Sequence, residues 1–225
     1  MTDEEKIGGI VSAISLISEE RACYYLSKYY GMNDDHEVAF TGAHFDRLPT
    51  VAENRITSED IVAVSCLSVH VPAAAAVEIL SGQADEISTL LSCIPDENLE
   101  EMPIDQHERL FGAGSAALGL WLLLRKHVGI GPTTASKLMA RKRPGLIPIY
   151  DSVVARVTGL DSSEGTWRAW HNALSSDEVL KNRLGQLRDS GGLEPIPLLR
   201  ILDVVLWMDG KGFVEPERID VAEAG

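Results

Sequence analysis

One carboxylate sits alone among cations. Residues 125–156 carry seven basic side chains (Arg125, Lys126, Lys137, Arg141, Lys142, Arg143 and Arg156) and a single acid, Asp151, for a net charge of +6. An isolated carboxylate can stabilise positive charge that develops in a transition state, while flanking cations hold an anionic substrate. Just upstream runs Gly129-Ile130-Gly131-Pro132-Thr133-Thr134-Ala135. Glycines let such a turn take positive φ and bring backbone close to a ligand. Pro132 suits the first turn of a helix, whose free N–H groups and positive dipole end bind anions. Ile130 would plug the turn into the core, and Lys137 falls about one turn into the helix. This is the pattern of a helix-hairpin-helix, which grips a phosphate backbone and reads no sequence. It makes Gly129, Ile130, Gly131, Thr133, Thr134, Lys137, Arg141, Lys142 and Arg143 candidate DNA contacts, with Asp151 as the candidate catalytic group. Asp151 also suits the N-cap of the apolar stretch that follows it; capping and catalysis are compatible.

The elements that must position these residues are helical. Apolar residues recur at helical spacing along most of the chain, and no convincing alternation of period two appears. Ile10, Ile14 and Ile17 predict a first helix that runs on to Tyr30. Residues 31–53 are polar and glycine-containing, and their pattern leaves extended and turn structure open around Phe40 and Phe45. His44 and Asp46 there read as parts of an ordered loop. Thr57-Ser58-Glu59-Asp60 resembles a capping box and opens a helix through about Val69. Ala73 to Leu80 and Asp85 to Cys93 read as short helices, and Pro95 to Asp105 as an acidic connector. Ser115 caps an apolar helix, Ala116 to His127, and the helix after Pro132 runs to about Ala140. Asp151 opens a helix through Val157, Trp167 and Trp170 share a face of the next, and Leu198 to Met208 forms the last. The expected fold is all-α, one domain of two helical lobes over residues 1–225, with residues 115–159 as its helix-hairpin-helix core.

The stretch from Gly129 to Ala135, with its spacing to Ile147-Pro148-Ile149-Tyr150-Asp151-Ser152-Val153-Val154, resembles the core of the helix-hairpin-helix DNA glycosylase superfamily, the endonuclease III-like enzymes and adenine glycosylases. The resemblance covers about 45 residues of the 225. It implies a base turned out of the duplex into a pocket, and an N-glycosidic bond cleaved with Asp151 as the carboxylate. Where bifunctional members carry a Schiff-base lysine after the hairpin, this chain has Thr133, so the resemblance implies a monofunctional hydrolase of a damaged or modified base, acting in DNA repair. Aromatic candidates for the pocket wall are Tyr150, Trp167, Trp170 and Trp207, although tryptophan is more often a core residue. The whole chain also resembles actinobacterial proteins grouped only as a family of unknown function, a likeness that implies no activity.

Composition narrows the remaining choices. With 45% hydrophobic and 24% charged residues the chain can bury a sizeable core. Three cysteines, Cys23, Cys66 and Cys93, are too few and too scattered for a disulfide framework, a four-cysteine zinc site or a cysteine-held iron–sulfur cluster, and the six histidines lack paired ligand spacing. No metal or cofactor is expected. No apolar run reaches the length of a membrane span and the first residues are acidic, so the expected partner is duplex DNA, not a membrane, and the expected compartment is the cytoplasm. The net charge of −14 pulls the other way. Residues 1–124 hold 6 basic and 21 acidic side chains. That imbalance keeps two alternatives open: a DNA-binding module without catalysis, and a regulatory protein whose acidic half meets a basic protein partner.

Overall fold

The computed structural model describes residues 3–32, 40–160, 163 and 165–213. Among these the regular structure is entirely helical, with no strand. The helices are α1 (Asp3–Ser15), α2 (Glu19–Tyr30), α3 (Ala43–Arg47), α4 (Ser58–Ser65), α5 (Ala73–Val77, continued by a π turn to Gly82), α6 (Ala84–Ser92) and α7 (Ile104–Phe111). They continue as α8 (Ala116–Arg125), α9 (Pro132–Lys142), α10 (Ser152–Thr158), α11 (Thr166–Ser176), α12 (Glu178–Ser190) and α13 (Leu198–Gly210). No helix among the described residues is long and apolar enough to cross a membrane.

Local chemistry explains most boundaries. The first apolar stretch breaks into α1 and α2 because Ser18 turns extended and its hydroxyl accepts from Arg21 N at 3.2 Å. Two acids in the first turn, Glu19 and Glu20, then favour a new start over continuation. Gly31 ends α2 at φ 65°, a conformation that costs other residues steric strain. Thr57 and Asp60 form the expected capping box, but α4 stops at Ser65, short of Val69. Of the undecided stretch 31–53, residues 33–39 lie outside the described residues, while Ala43–Arg47 forms the one-turn helix α3.

The centre of the protein is α13. From Leu199 to Met208 every side chain except Trp207 is buried, which makes it a helix covered on all sides. It packs against α2, α10 and α12; α1 lies across α10 and α11; α8 packs on α6 and α9; and α4 packs on α9. The buried apolar side chains form one cluster running from Ile10 to Met208. Segments distant in sequence thus meet around α9, α10 and α13, where the site is assembled.

Candidate active site

The turn after α8 is tight. Gly129 sits at φ 86°, and a Cβ there would lie 2.6 Å from Pro72 Cγ, so glycine is required both for the backbone angle and for the close approach. Ile130 is buried and its N–H donates to His127 O at 3.1 Å, which fixes the turn to the core. Gly131 is the N-cap of α9 and offers no side-chain cap. The first helical bond is Ala135 N to Gly131 O at 3.0 Å, so the N–H groups of Thr133 and Thr134 precede the ladder. Thr134 itself is buried, whereas Thr133 borders a cavity.

One turn further on, α9 places two polar side chains. The Ser136 hydroxyl donates to Thr133 O at 2.9 Å and accepts from Tyr150 N at 2.9 Å, which draws the loop 143–151 back onto the helix. Lys137 is 4% exposed. Its ammonium donates to Leu67 O at 2.9 Å and to Asp151 Oδ2 at 3.3 Å. Burial lowers the Lys137 pKa, and the facing Asp151 carboxylate opposes that shift. Asp151 Oδ1 accepts from Val153 N at 2.8 Å, the N-cap bond of α10. The carboxylate keeps 16% of its surface exposed, and that surface faces the same cavity. Thus Asp151 is both cap and cavity group, held on one side by an ammonium and on the other by a helix N-terminus.

The cavity has a volume of about 310 Å³. One wall is aromatic: Tyr29 and Phe40 stack with centroids 5.8 Å apart, and Trp207 meets both edge-on. Its charged lining is Lys137, Asp151, Arg200, Asp203 and Lys211, with hydroxyls from Thr41, Ser68, Thr133 and Ser152. Arg200 is fully shielded and clamped by Asp46, with Nε to Oδ1 at 2.8 Å and Nη2 to Oδ2 at 3.0 Å. Its Nη1 donates to Asp203 Oδ2. Tyr30 also donates to Asp46 Oδ2, at 3.1 Å. Asp203 Oδ1 is buried and has no hydrogen-bond partner among the described residues. Burial raises the Asp203 pKa to about 6, against the pull of Arg200.

Of the sequence candidates, Thr133, Lys137 and Asp151 line one cavity, while Gly129, Ile130 and Gly131 form the turn that leads into α9 and Thr134 is buried. It corrects the reading of the basic triplet. Arg141, Lys142 and Arg143 are each 4–5% exposed and point inward. Arg141 binds Asp60 at 3.1 Å and the carbonyls of Phe45, Leu48 and Pro49. Lys142 binds Asp60 at 2.8 Å and Ala52 O. Arg143 donates to the carbonyls of Leu91, Ile94 and Glu53 and to Asn54 Oδ1. All three are buried and bonded to the chain itself, so none faces the surface where a phosphate would approach. Three of the aromatic candidates are corrected too. Trp170 is a core residue at 1% exposure. Trp167 lines a separate cavity beside His107 and Phe111, and Tyr150 does not line the Asp151 cavity. Trp207 does.

Arg200, Asp203, Tyr29 and Phe40 are absent from the sequence-based site, and Asp46, read there as part of an ordered loop, belongs to the Arg200 network. A signal existed for two of them: Arg200 and Asp203 are an i,i+3 charged pair inside Leu198 to Met208, an otherwise apolar helix. Charges at buried positions are rare unless paired, and they mark places where a helix faces something polar.

An all-helical fold with a buried ion network around one cavity defines a class of architecture and no activity by itself. The chain belongs to DUF6308, a family of unknown function, whose family model matches residues 22–210. No curated protein and no solved structure is similar to it at a significant level.

Proposed function

We propose that this is a helix-hairpin-helix protein that binds duplex DNA and hydrolyses the N-glycosidic bond of a base turned into the cavity. The observation that supports it is the placement of Asp151. The carboxylate opens into an aromatic-walled cavity of nucleoside size, and the N-terminus of α9, with Thr133 at the cavity edge, lies next to it. In this reading the turn Gly129–Gly131 and the N–H groups of Thr133 and Thr134 hold a phosphate beside the turned-out nucleotide. Tyr29, Phe40 and Trp207 cover the base. Asp151 stabilises the positive sugar as the bond breaks and takes a proton from the incoming water. Lys137 holds the Asp151 carboxylate in place through its ammonium. No lysine occupies position 133, so the reading is a monofunctional hydrolase.

Burial of the triplet Arg141–Arg143 favours a second reading. DNA binding draws much of its affinity from exposed cations, and near the turn the exposed ones are Arg125 and Lys126. The same carboxylate and cavity then act on a free nucleoside or nucleotide.

One experiment separates the readings. A cationic pyrrolidine abasic analogue imitates the charged sugar, and a transition-state mimic binds at least about a hundredfold more tightly than ground-state ligand. The protein is titrated with a duplex containing the analogue, with the same duplex undamaged, and with the free pyrrolidine nucleoside. Asp151→Asn is the control, because asparagine caps a helix as well as aspartate and so preserves α10. Preference for the analogue duplex, lost in Asp151→Asn, supports the glycosylase. Preference for the free analogue alone supports the second reading, and equal affinity for both duplexes refutes hydrolysis by Asp151.

A further inference from the structure

We propose that Asp203 is the catalytic acid of this site, giving a proton to the departing base, and that the substrate is therefore a neutral base with a hydrogen-bond acceptor and not a cationic alkylated one. The inference rests on the N-glycoside hydrolysis proposed above and adds a residue and a substrate class to it.

The Asp203 carboxylate is only half satisfied. Asp203 lines the cavity; Oδ2 is taken by Arg200, and Oδ1 has no partner. A buried oxygen left without a partner costs free energy, and a purely structural carboxylate would have both oxygens bonded. Asp46, in the same network, is the comparison: its two oxygens accept from Arg200 and Tyr30. A base entering the cavity brings a ring nitrogen or carbonyl oxygen that a protonated Oδ1 can bond.

The groups around Asp203 set its proton affinity. Arg200 on its own helix favours the charged form, as does Lys137 from α9. Burial, the largest influence, favours the protonated form against them, and Asp151 at the start of α10 and Asp46 from α3 add to it. Tyr29 from α2 lies close enough to feel the Asp203 charge. The result is a carboxyl that titrates near pH 6 while Asp151 lies in a different setting, partly exposed and paired with an ammonium. Two carboxyl groups in one cavity with such different surroundings, one bonded to an ammonium and a helix N-terminus and the other with an oxygen left unbonded, divide into a base and an acid.

The step balances. The bond between the sugar C1′ and the base nitrogen breaks, and its electron pair leaves with the base. The Asp203 proton goes to the acceptor atom of the base. Water adds to C1′ and gives its proton to Asp151, and solvent restores both groups. A base that is already cationic leaves without an added proton, so it gains little from Asp203.

Single-turnover release is measured from duplexes carrying adenine, guanine, hypoxanthine, 8-oxoguanine, uracil or the cationic 7-methylguanine, with wild type and Asp203→Asn, from pH 5 to 8.5. Wild type releases a neutral base at a rate that falls above about pH 6. Asp203→Asn slows that release about a hundredfold or more, the usual worth of a positioned acid, and flattens the profile. Release of 7-methylguanine falls far less. Equal slowing of neutral and cationic bases, or release of 7-methylguanine alone, overturns the proposal. Preference for the abasic analogue with no base of the set released overturns the substrate class. Loss of analogue preference refutes the parent reading instead. Carboxyl ¹³C resonances of wild type against Asp203→Asn then show whether Asp203 binds its proton near pH 6 independently of any reaction.

Discussion

Asp60→Ala tests whether the basic triplet belongs to the interior. Asp60 is 1% exposed and accepts from Arg141 Nε at 3.1 Å, Lys142 Nζ at 2.8 Å and its own capping-box partner Thr57 N at 3.0 Å. Removing it leaves two buried cations facing only carbonyl dipoles. Breaking a buried ion pair on one side costs about 3–5 kcal/mol, and the lost capping bond falls within that range. With a urea m-value of about 3 kcal/mol per M, at the upper end for small proteins, the midpoint falls by roughly 1–1.7 M. Urea unfolding followed by far-UV circular dichroism reads this directly. Lys142→Met relieves part of the charge excess, so the double variant recovers part of the loss and the two substitutions are non-additive. A loss under about 1 kcal/mol with an unchanged m-value would refute the reasoning, because it is what a solvated pair contributes. It would return Arg141 and Lys142 to the surface, where they could meet a phosphate.

The two turn glycines separate folding from binding. Gly129→Ala meets Pro72 and an unfavourable φ, and should cost about 1–3 kcal/mol in thermal or urea unfolding. Gly131→Ala has open space around the new methyl and an ordinary φ of −88°, so its stability stays within about 1 kcal/mol. A methyl group at that N-cap lies where the proposed phosphate approaches, so affinity for the analogue duplex should drop. Stability against pH carries opposite signatures from two buried groups. Asp203 binds its proton more readily folded, near pH 6 against an ordinary 3.8, so its contribution falls as pH rises through that window. Between pH 4.5 and 7, Asp203→Asn should gain on wild type by roughly 2 kcal/mol in urea unfolding. His107 is pushed down to about 4 by burial and by His171, so the folded state excludes its proton and stability is lost as pH falls from 6.5 towards 4. His107→Phe should flatten that acid limb, and an unchanged limb would show that His107 is accessible to solvent.

What the sequence disclosed was local. Helical periodicity, the turn Gly129–Gly131, Pro132 at the start of α9 and the cap at Asp151 all act within a few residues, and each stands where it was read. What it concealed was long-range. Arg141-Lys142-Arg143 beside Pro144 looks like a solvated basic loop because most of its acceptors are invisible in the pattern: besides Asp60 and Asn54 they are main-chain carbonyls far upstream, from Phe45 to Ile94. Any segment has carbonyls, so no residue type announces them. The tryptophans failed for a related reason. Helical spacing puts Trp167 and Trp170 on neighbouring positions but does not say which neighbour each face meets. Tyr29 and Phe40 reach the cavity only because α2 packs against α13, a contact between opposite ends of the chain.

The clasp formed by α9 has a consequence for how the sequence can drift. Beyond the clamp of Asp46 on Arg200, residues 45–53 are held by Arg141, Lys142 and Arg143 at five points, the carbonyls of Phe45, Leu48, Pro49, Ala52 and Glu53. Every one is an atom that all amino acids share. Side chains such as Thr50 and Val51 project into solvent and carry none of the restraint. Their identities can therefore change without loosening the segment, whereas Arg141, Lys142, Arg143 and Asp60 have no interchangeable substitutes. From Leu48 to Glu53 the burden of holding the backbone rests on the end of a helix about 90 residues away. Two stretches equally ordered in space thus differ sharply in their freedom to vary.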